Sequence, residues 1–318
     1  MDGTQTQTSL MSSMCVLGIY VVGFSADVLF MIRHDPLHIL RLSADANAKA
    51  CALEWNPQVD GTFAAATSDG MLSCYSFDIE VSMNYIVVRY DGNNVTCIGW
   101  SPKGKQLVVG DSSGYIKQYK PELTLVRTVP PPTSMILRED DATADAQQCV
   151  GISWLATTDF LVAYGPQSGR SRSMNVALLC VKKGASPRWT SFEDTCFCSG
   201  KSNFDEKVNF TQLLDWNLVL CSSYRSSEIV VLGKIGVDWK VWYLDDSGRI
   251  EMPLDGAHCE SFPLGVCIDT SSTFPVKLGK ISYKFLVGYI FRRIGCFFLK
   301  SYISAISVCH SFLNTFNP

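Results

Sequence analysis

VTCIGWSPKGKQLVVGDSSGYIKQY, residues 95–119, packs three short runs and two turns into 25 positions. Val95, Cys97 and Gly99 alternate into Trp100, and a Ser-Pro turn with Lys103, Gly104 and Lys105 follows. A fully apolar run, Leu107 to Val109, leads to a second turn at Asp111 to Gly114 and then to a run carrying Tyr115 and Tyr119. Strand, turn, strand, turn, strand is the grammar of an antiparallel β-meander. A helix would need apolar residues at a 3.6 period, and this stretch has none.

The pattern recurs upstream. In CALEWNPQVDGTFAAATSDGMLSCYSF, residues 51–77, Trp55-Asn56-Pro57 matches Trp100-Ser101-Pro102, and Ser68-Asp69-Gly70 matches Ser112-Ser113-Gly114. The two tryptophans lie 45 residues apart, within the roughly 40–45 expected of a four-stranded propeller blade. Each matched residue has a local task. Tryptophan fills the space between neighbouring blades, proline ends a strand, and glycine supplies positive φ at a hairpin turn.

A third copy, VGISWLATTDFLVAYG, places Trp154 54 residues beyond Trp100. The excess falls between Val129 and Gln148, with three consecutive prolines and the acids Glu139, Asp140, Asp141 and Asp145, which reads as an irregular surface loop. A weaker fourth copy, LLDWNLVLCSSYRSSEIVVLG, puts Trp216 before an apolar strand. The linker before it holds a further strand, Val176 to Val181, and a polar stretch, Phe192 to Lys207. DWKVWYLDDSGRIEMPL, residues 238–254, supplies one more strand and turn. The expected fold is all-β: a WD40-like β-propeller, incomplete, with about four blades recognisable. Residues 51–275 form the partial propeller and residues 1–50 hold poorly defined strands. MCVLGIYVVGF reads as a strand there, and LHILRLSADANAKA as a strand running into a turn.

With 318 residues, 47% of them hydrophobic, the chain has ample material for a buried core. A net charge of −3 argues against a dedicated nucleic-acid binder, which shows a concentrated basic face. Of thirteen cysteines, Cys74, Cys97, Cys180 and Cys221 sit inside apolar runs, where free cysteine behaves as a small hydrophobe. Reduced core cysteines are expected, and with them a cytosolic or nuclear compartment. The sequons at Asn94 and Asn209 matter only in a secreted chain. Residues 14–32 are apolar, but the preceding residues carry an acid and no base, and Asp27 interrupts the run, so a buried strand pair is expected rather than a signal peptide or membrane span.

Beyond Phe274 the character changes. Residues 277–318 hold Lys277, Lys280, Lys284, Arg292, Arg293 and Lys300 and no acid. A membrane span here would carry Arg292 and Arg293 near its centre, at about 2.5–3.5 kcal/mol each. An interfacial amphipathic segment is one alternative. A basic apolar tail over 276–318, truncated or mis-spliced and not natively folded, is the other.

Candidate chemistry is sparse. Cys196, Cys198, His258 and Cys259 offer four zinc-type ligands, but C-x-C is tighter than the usual spacing and the second pair is adjacent. Asp245-Asp246 lies in DDSG, a turn with a solvated face. His34 and His38 share an i, i+4 spacing, yet Pro36 between them opposes the helix such a site needs. His310, like the other histidines, lacks a G-x-S-x-G context. Lys103 and Lys105 form a basic turn that could touch RNA or an acidic partner, with a solvated hairpin tip as the plainer reading. No catalytic, cofactor-binding or metal-binding residue is assigned, and no enzyme is expected.

WNPQVDGTFAAATSDG, VTCIGWSPKGKQLVVGDSSGYIKQY, DWNLVLCSSYRSSEIVVLG, and WYLDDSGRIEMPL with PLGVCIDT together resemble, in collinear order over about Cys51 to Thr270, the N-terminal propeller of the CAN-type nucleoporins. These are the large FG-repeat nucleoporins of the cytoplasmic face of the nuclear pore. The resemblance implies a non-enzymatic scaffold: a seven-bladed propeller that docks the DEAD-box helicase of mRNA export, beside other nucleoporins, with no direct nucleic-acid site and no membrane. About four of the seven blades are recognisable, which implies a fragment or alternative product. The family's helicase-contact loops fall outside the recognisable region, so the partner-binding residues stay unknown. The chain has no Phe-Gly dipeptide and forms no transport-receptor mesh itself. The alternatives are a WD40-like protein–protein adaptor outside the pore, as in translation or ubiquitin ligation, and a non-functional truncated product.

Overall fold

The structure is a computed structural model. It describes strand backbone between Ser13 and Leu299 and side chains chiefly in residues 40–76, 94–132, 147–166, 174–193, 207–213, 216–244, 249–254 and 258–266. Every extended element it describes is a β-strand, and the chain divides into two compact units, residues 1–131 and 132–318.

The first unit begins with an antiparallel three-stranded sheet, β1 (Ser13–Leu17), β2 (Tyr20–Phe24) and β3 (His38–Arg41). The expected strand pair at residues 14–32 is the β1–β2 hairpin. A four-stranded meander follows: β4 (Ala50–Trp55), β5 (Thr62–Thr67), β6 (Met71–Asp78) and β7 (Ser82–Arg89). The next meander is β8 (Val95–Trp100), β9 (Leu107–Asp111), β10 (Ile116–Tyr119) and β11 (Leu125–Val129). These two sheets are the two matched copies, and β4 lies against β8.

Burial grades across the second meander as a blade requires. All five residues of β9 are buried, which is why that strand reads as an unbroken apolar run. In β10 only the two end residues are buried, and in β11 only Val129 is. The matched turns also coincide in geometry. Gly70 has φ +86° and its N–H donates to Thr67 O at 3.0 Å, while Gly114 has φ +79° and donates to Asp111 O at 3.0 Å. Positive φ is costly for any residue with a Cβ, so glycine at both positions follows from the turn.

In the second unit β12 (Gln147–Ala156), β13 (Asp159–Pro166), β14 (Asn175–Cys180) and β15 (Arg188–Phe192) form the Trp154 sheet. The strand expected at residues 176–181 is β14. The fourth copy is β16 (Val208–Leu213), β17 (Leu218–Ser223), β18 (Glu228–Ile235) and β19 (Asp238–Trp242). Here the outer position is split: β19 pairs with the C-terminal half of β18, and the short β20 (Ile250–Glu251) pairs with Glu228 and Ile229. Trp216 follows β16 in a short turn, whereas Trp55 and Trp100 close their strands, which explains the weaker match. The irregular acidic loop expected between Val129 and Gln148 falls mostly on residues 133–146, outside the described residues.

Beyond these come β21 (Gly265–Asp269), β22 (Pro275–Leu278), β23 (Ile281–Lys284), β24 (Val287–Arg292) and β25 (Gly295–Leu299). β21, β24 and β25 form one sheet and β22 and β23 a hairpin. Residues 300–318 of the basic tail lie outside the described residues. The fold is all-β, and its four full meanders are successive blades of an incomplete WD40-like propeller. Among the described residues no helix is long and apolar enough to cross a membrane.

Candidate functional site

The WNP and WSP repeats turn out to be the lock between two blades. Trp100 is buried among Ala64, Ala66, Leu72 and Cys74 of the preceding sheet, and its indole Nε1–H donates to Glu54 O at 3.0 Å. The reciprocal bond comes from Asn56, whose Nδ2 donates to Gly104 O at 2.8 Å. Asn56 Oδ1 meanwhile accepts from the N–H groups of Gln58 and Val59, each at 3.0 Å, and so fixes its own turn. Gly104 has φ +65°, and a Cβ built there would sit 2.1 Å from Asn56 Oδ1. The basic turn is therefore structural in its backbone, while Lys103 and Lys105 point into solvent. One blade earlier in chain order, Trp55 packs against Phe63, Tyr75 and Leu42, with ring centroids 5.4 Å from Phe63.

Two carboxylates that could pass for reactive groups are held by the same turns. Asp69 accepts from the hydroxyls of Ser43 and Thr67, the first at 2.5 Å. Burial opposes its ionisation, but those bonds and backbone N–H donors outweigh it and hold the carboxyl below its ordinary value. Asp111 is fully buried, accepts from the N–H groups of Ser113 at 3.0 Å and Tyr115 at 2.9 Å, and faces Lys117 Nζ at 3.4 Å. Asp111 is bonded within its own turn, whereas Asp69 ties its turn to Ser43, 26 residues earlier.

In the second unit side chains again tie one sheet to the next. Gln212 Nε2 donates to Ser153 Oγ at 2.6 Å and to Trp154 O at 3.1 Å, and Thr211 Oγ1 donates to Val266 O at 3.1 Å. The inner strands approach so closely that a Cβ on Gly151 would lie 2.2 Å from Val208 O. Cys196 belongs to the core between them: its Sγ lies 4.0 Å from Cys221 Sγ, and both are buried. Of the four zinc-type candidates, then, the structure joins Cys196 to Cys221, leaves His258 and Cys259 exposed, and places Cys198 outside the described residues. Cys74, Cys97, Cys180 and Cys221 are all buried and unbridged, as expected of core thiols. Asp246 is almost fully exposed and pairs with Arg249 at 3.2 Å, while Asp245 is outside the described residues. His38 opens β3, a strand, so the helical pairing with His34 does not form, and His34 and His310 are outside the described residues.

What the sequence reading missed is a set of exposed apolar side chains on outer strands. Leu125 and Val126 on β11 are exposed, as are Ile235 and Val237 at the β18–β19 turn and Tyr243 and Leu254 flanking β20. Val237 is 86% exposed and Tyr243 78%. The available signal was the break in alternation: Leu125-Val126 puts two apolar residues in succession on an edge, where one must face solvent. Outer strands with exposed apolar groups suit protein contact better than chemistry.

Residues 38–278 match the profile of the NUP159/214 beta propeller family. The chain belongs to that family. It is 32% identical to nuclear pore complex protein Nup214 of Drosophila melanogaster over 282 residues, which is 87% of this chain and 15% of that protein. It is 33% identical to nuclear pore complex protein 14 of Caenorhabditis elegans over 247 residues, 76% of this chain and 17% of that one. The chain thus spans about a sixth of the length of these relatives. Among solved structures, the WD40 domain of Toxoplasma gondii coronin superposes with a TM-score of 0.58 at 12% identity, covering 91% of this chain and 66% of the coronin chain. That likeness concerns the fold alone. Nucleoporin propellers are scaffold proteins.

Proposed function

We propose that this propeller is a docking module of the nuclear pore complex that serves nucleocytoplasmic transport, chiefly mRNA export. In this reading it works on the cytoplasmic face by binding a DEAD-box export helicase and neighbouring nucleoporins, without chemistry of its own. The observation that carries it is the family match over residues 38–278, which spans all four full blades. The relatives it matches are named as nuclear pore complex proteins. The physical character of the blades supports a docking role: carboxylates and amides are spent on turns and blade contacts, while apolar side chains remain exposed on outer strands. Two measurements test the reading separately. The fluorescently tagged full chain should decorate the nuclear rim, and the purified chain should retain the purified export helicase in a pull-down. Diffuse staining would remove the pore assignment. Rim staining without helicase retention would leave a pore scaffold and remove the helicase role.

A further inference from the structure

The chain contains two Ser-Pro dipeptides, Ser101-Pro102 and Ser186-Pro187, and no Thr-Pro. They are equivalent as sequence and opposite as structure. Ser101 is buried, and its Oγ accepts the backbone N–H groups of Lys105 and Gln106, both at 3.1 Å, inside the blade-locking turn. Ser186 lies between β14 and β15, where every residue from Lys182 to Arg188 is exposed. The ladder closes at Cys180 opposite Arg188, so the intervening loop takes no part in sheet pairing. Pro187 biases Ser186 towards extended backbone and itself has no N–H to lose from the fold. A loop tip of this kind can enter a second protein's cleft without unfolding its sheet.

We propose that Ser186 is a phosphorylation site for a proline-directed serine/threonine kinase, and that Ser101 is excluded by the fold. The co-substrate is Mg-ATP. The Ser186 Oγ–H attacks the γ-phosphorus, the new Oγ–P bond forms as the bond to the β,γ-bridging oxygen breaks, ADP leaves, and the hydroxyl proton passes to the kinase's base. The loop holds Lys182, Lys183 and Arg188 and no acid. A phosphate of about −1.5 to −2 cancels half to two thirds of that local positive charge. Modification therefore changes the loop's charge without touching the core.

The test is incubation of the folded full chain with a purified proline-directed kinase and Mg-ATP, with the sites mapped by mass spectrometry. Label should concentrate on Ser186, fall more than tenfold in Ser186→Ala and in Pro187→Ala, and be unchanged in amount for Ser101→Thr. A synthetic peptide of residues 94–108 should be labelled at Ser101 while the folded chain is not, showing that the fold makes the choice. Failure of the folded chain to take label, retention of label by Ser186→Ala, or labelling of Ser101 in the folded chain at the peptide's rate would each overturn the proposal. Circular dichroism of the exposed-loop variants should match the parent chain.

Discussion

The indole N–H of Trp100 donates to the carbonyl of Glu54 at 3.0 Å, so the residue that ends the inner strand of one blade is bonded to the inner strand of the blade before it. The indole that donates it is buried in an apolar cluster, while Glu54 on the accepting side is exposed. Trp100→Phe keeps most of the ring and deletes only the donor. It should cost about 1–2 kcal/mol, against about 3–5 kcal/mol for Trp100→Ala, which also opens a cavity. Urea unfolding followed by circular dichroism measures both. Equal losses for the two variants would show that the bond contributes nothing beyond packing.

Gly104 closes the same contact from the other side. Alanine there must hold φ +65°, at about 1–2 kcal/mol, and its Cβ must displace Asn56, breaking the 2.8 Å bond to Gly104 O. Gly104→Ala should therefore lose about 2–3 kcal/mol in all. In an Asn56→Ala background the second part of that loss is already spent, so the same substitution should cost less. Strict additivity in the cycle would mean that the two residues do not act together.

Asp69 predicts a pH dependence with a definite sign. Its folded carboxyl is held below its ordinary value despite burial, because Ser43, Thr67 and backbone N–H groups donate to the charged form. Its stabilising contribution is fully present above the unfolded value, about 3.9, and is lost as pH falls through the lower folded value. Asp69→Asn should be less stable than the parent near neutrality and should approach it as pH drops below about 4. Stability curves that stay parallel down to that range would exclude this carboxylate as a contributor to acid unfolding.

Much of this was legible because it is local. The WNP and WSP motifs, the paired glycines at 70 and 114 and the 45-residue offset between Trp55 and Trp100 are all short-range constraints of one hairpin unit. The partners of those residues were not legible. Asn56 bonds Gly104 48 positions away and Gln212 reaches Ser153 59 away, and no pattern within one repeat encodes the neighbour's turn. Trp216 makes the weaker match for a related reason. It stands beyond the end of its strand, so the spacing that marks the first two blades does not hold for the fourth. Exposure of Leu125 and Tyr243 depends on which strand is outermost, and composition does not report that.

Gly151 predicts the tolerance of the inner strands in the second unit. A Cβ there would meet the Val208 backbone oxygen at 2.2 Å, and backbone cannot swing aside as a side chain can. Gly151→Ala should destabilise by at least the about 1–3 kcal/mol typical of overpacking. The same change at Gly184, which has nothing within 4 Å, should cost only its backbone term at φ +75°. Differential scanning calorimetry on the two variants separates steric from conformational loss, and a larger effect at Gly184 would contradict the close approach of β12 and β16.

The cysteines should sort by burial when the folded chain is treated with a maleimide. Burial pushes the Cys74 thiol up to about 12, and the thiolate is the reacting species. Near neutrality such a group holds about a thousandth of the thiolate of an ordinary cysteine, whose pKa is about 8.5–9, before steric shielding is counted. Cys196 is raised well above its ordinary value too, first by its hydrogen bond with Cys221 and then by burial. Exposed Cys259 should therefore be modified within minutes, with Cys74, Cys196 and Cys221 protected until urea unfolds their blades. Peptide mapping at successive times reads each site independently. Cys196 and Cys221 should become reactive together, because they share one core between the Trp154 and Trp216 sheets. Early modification of either one in the folded chain would show that these two sheets separate in solution.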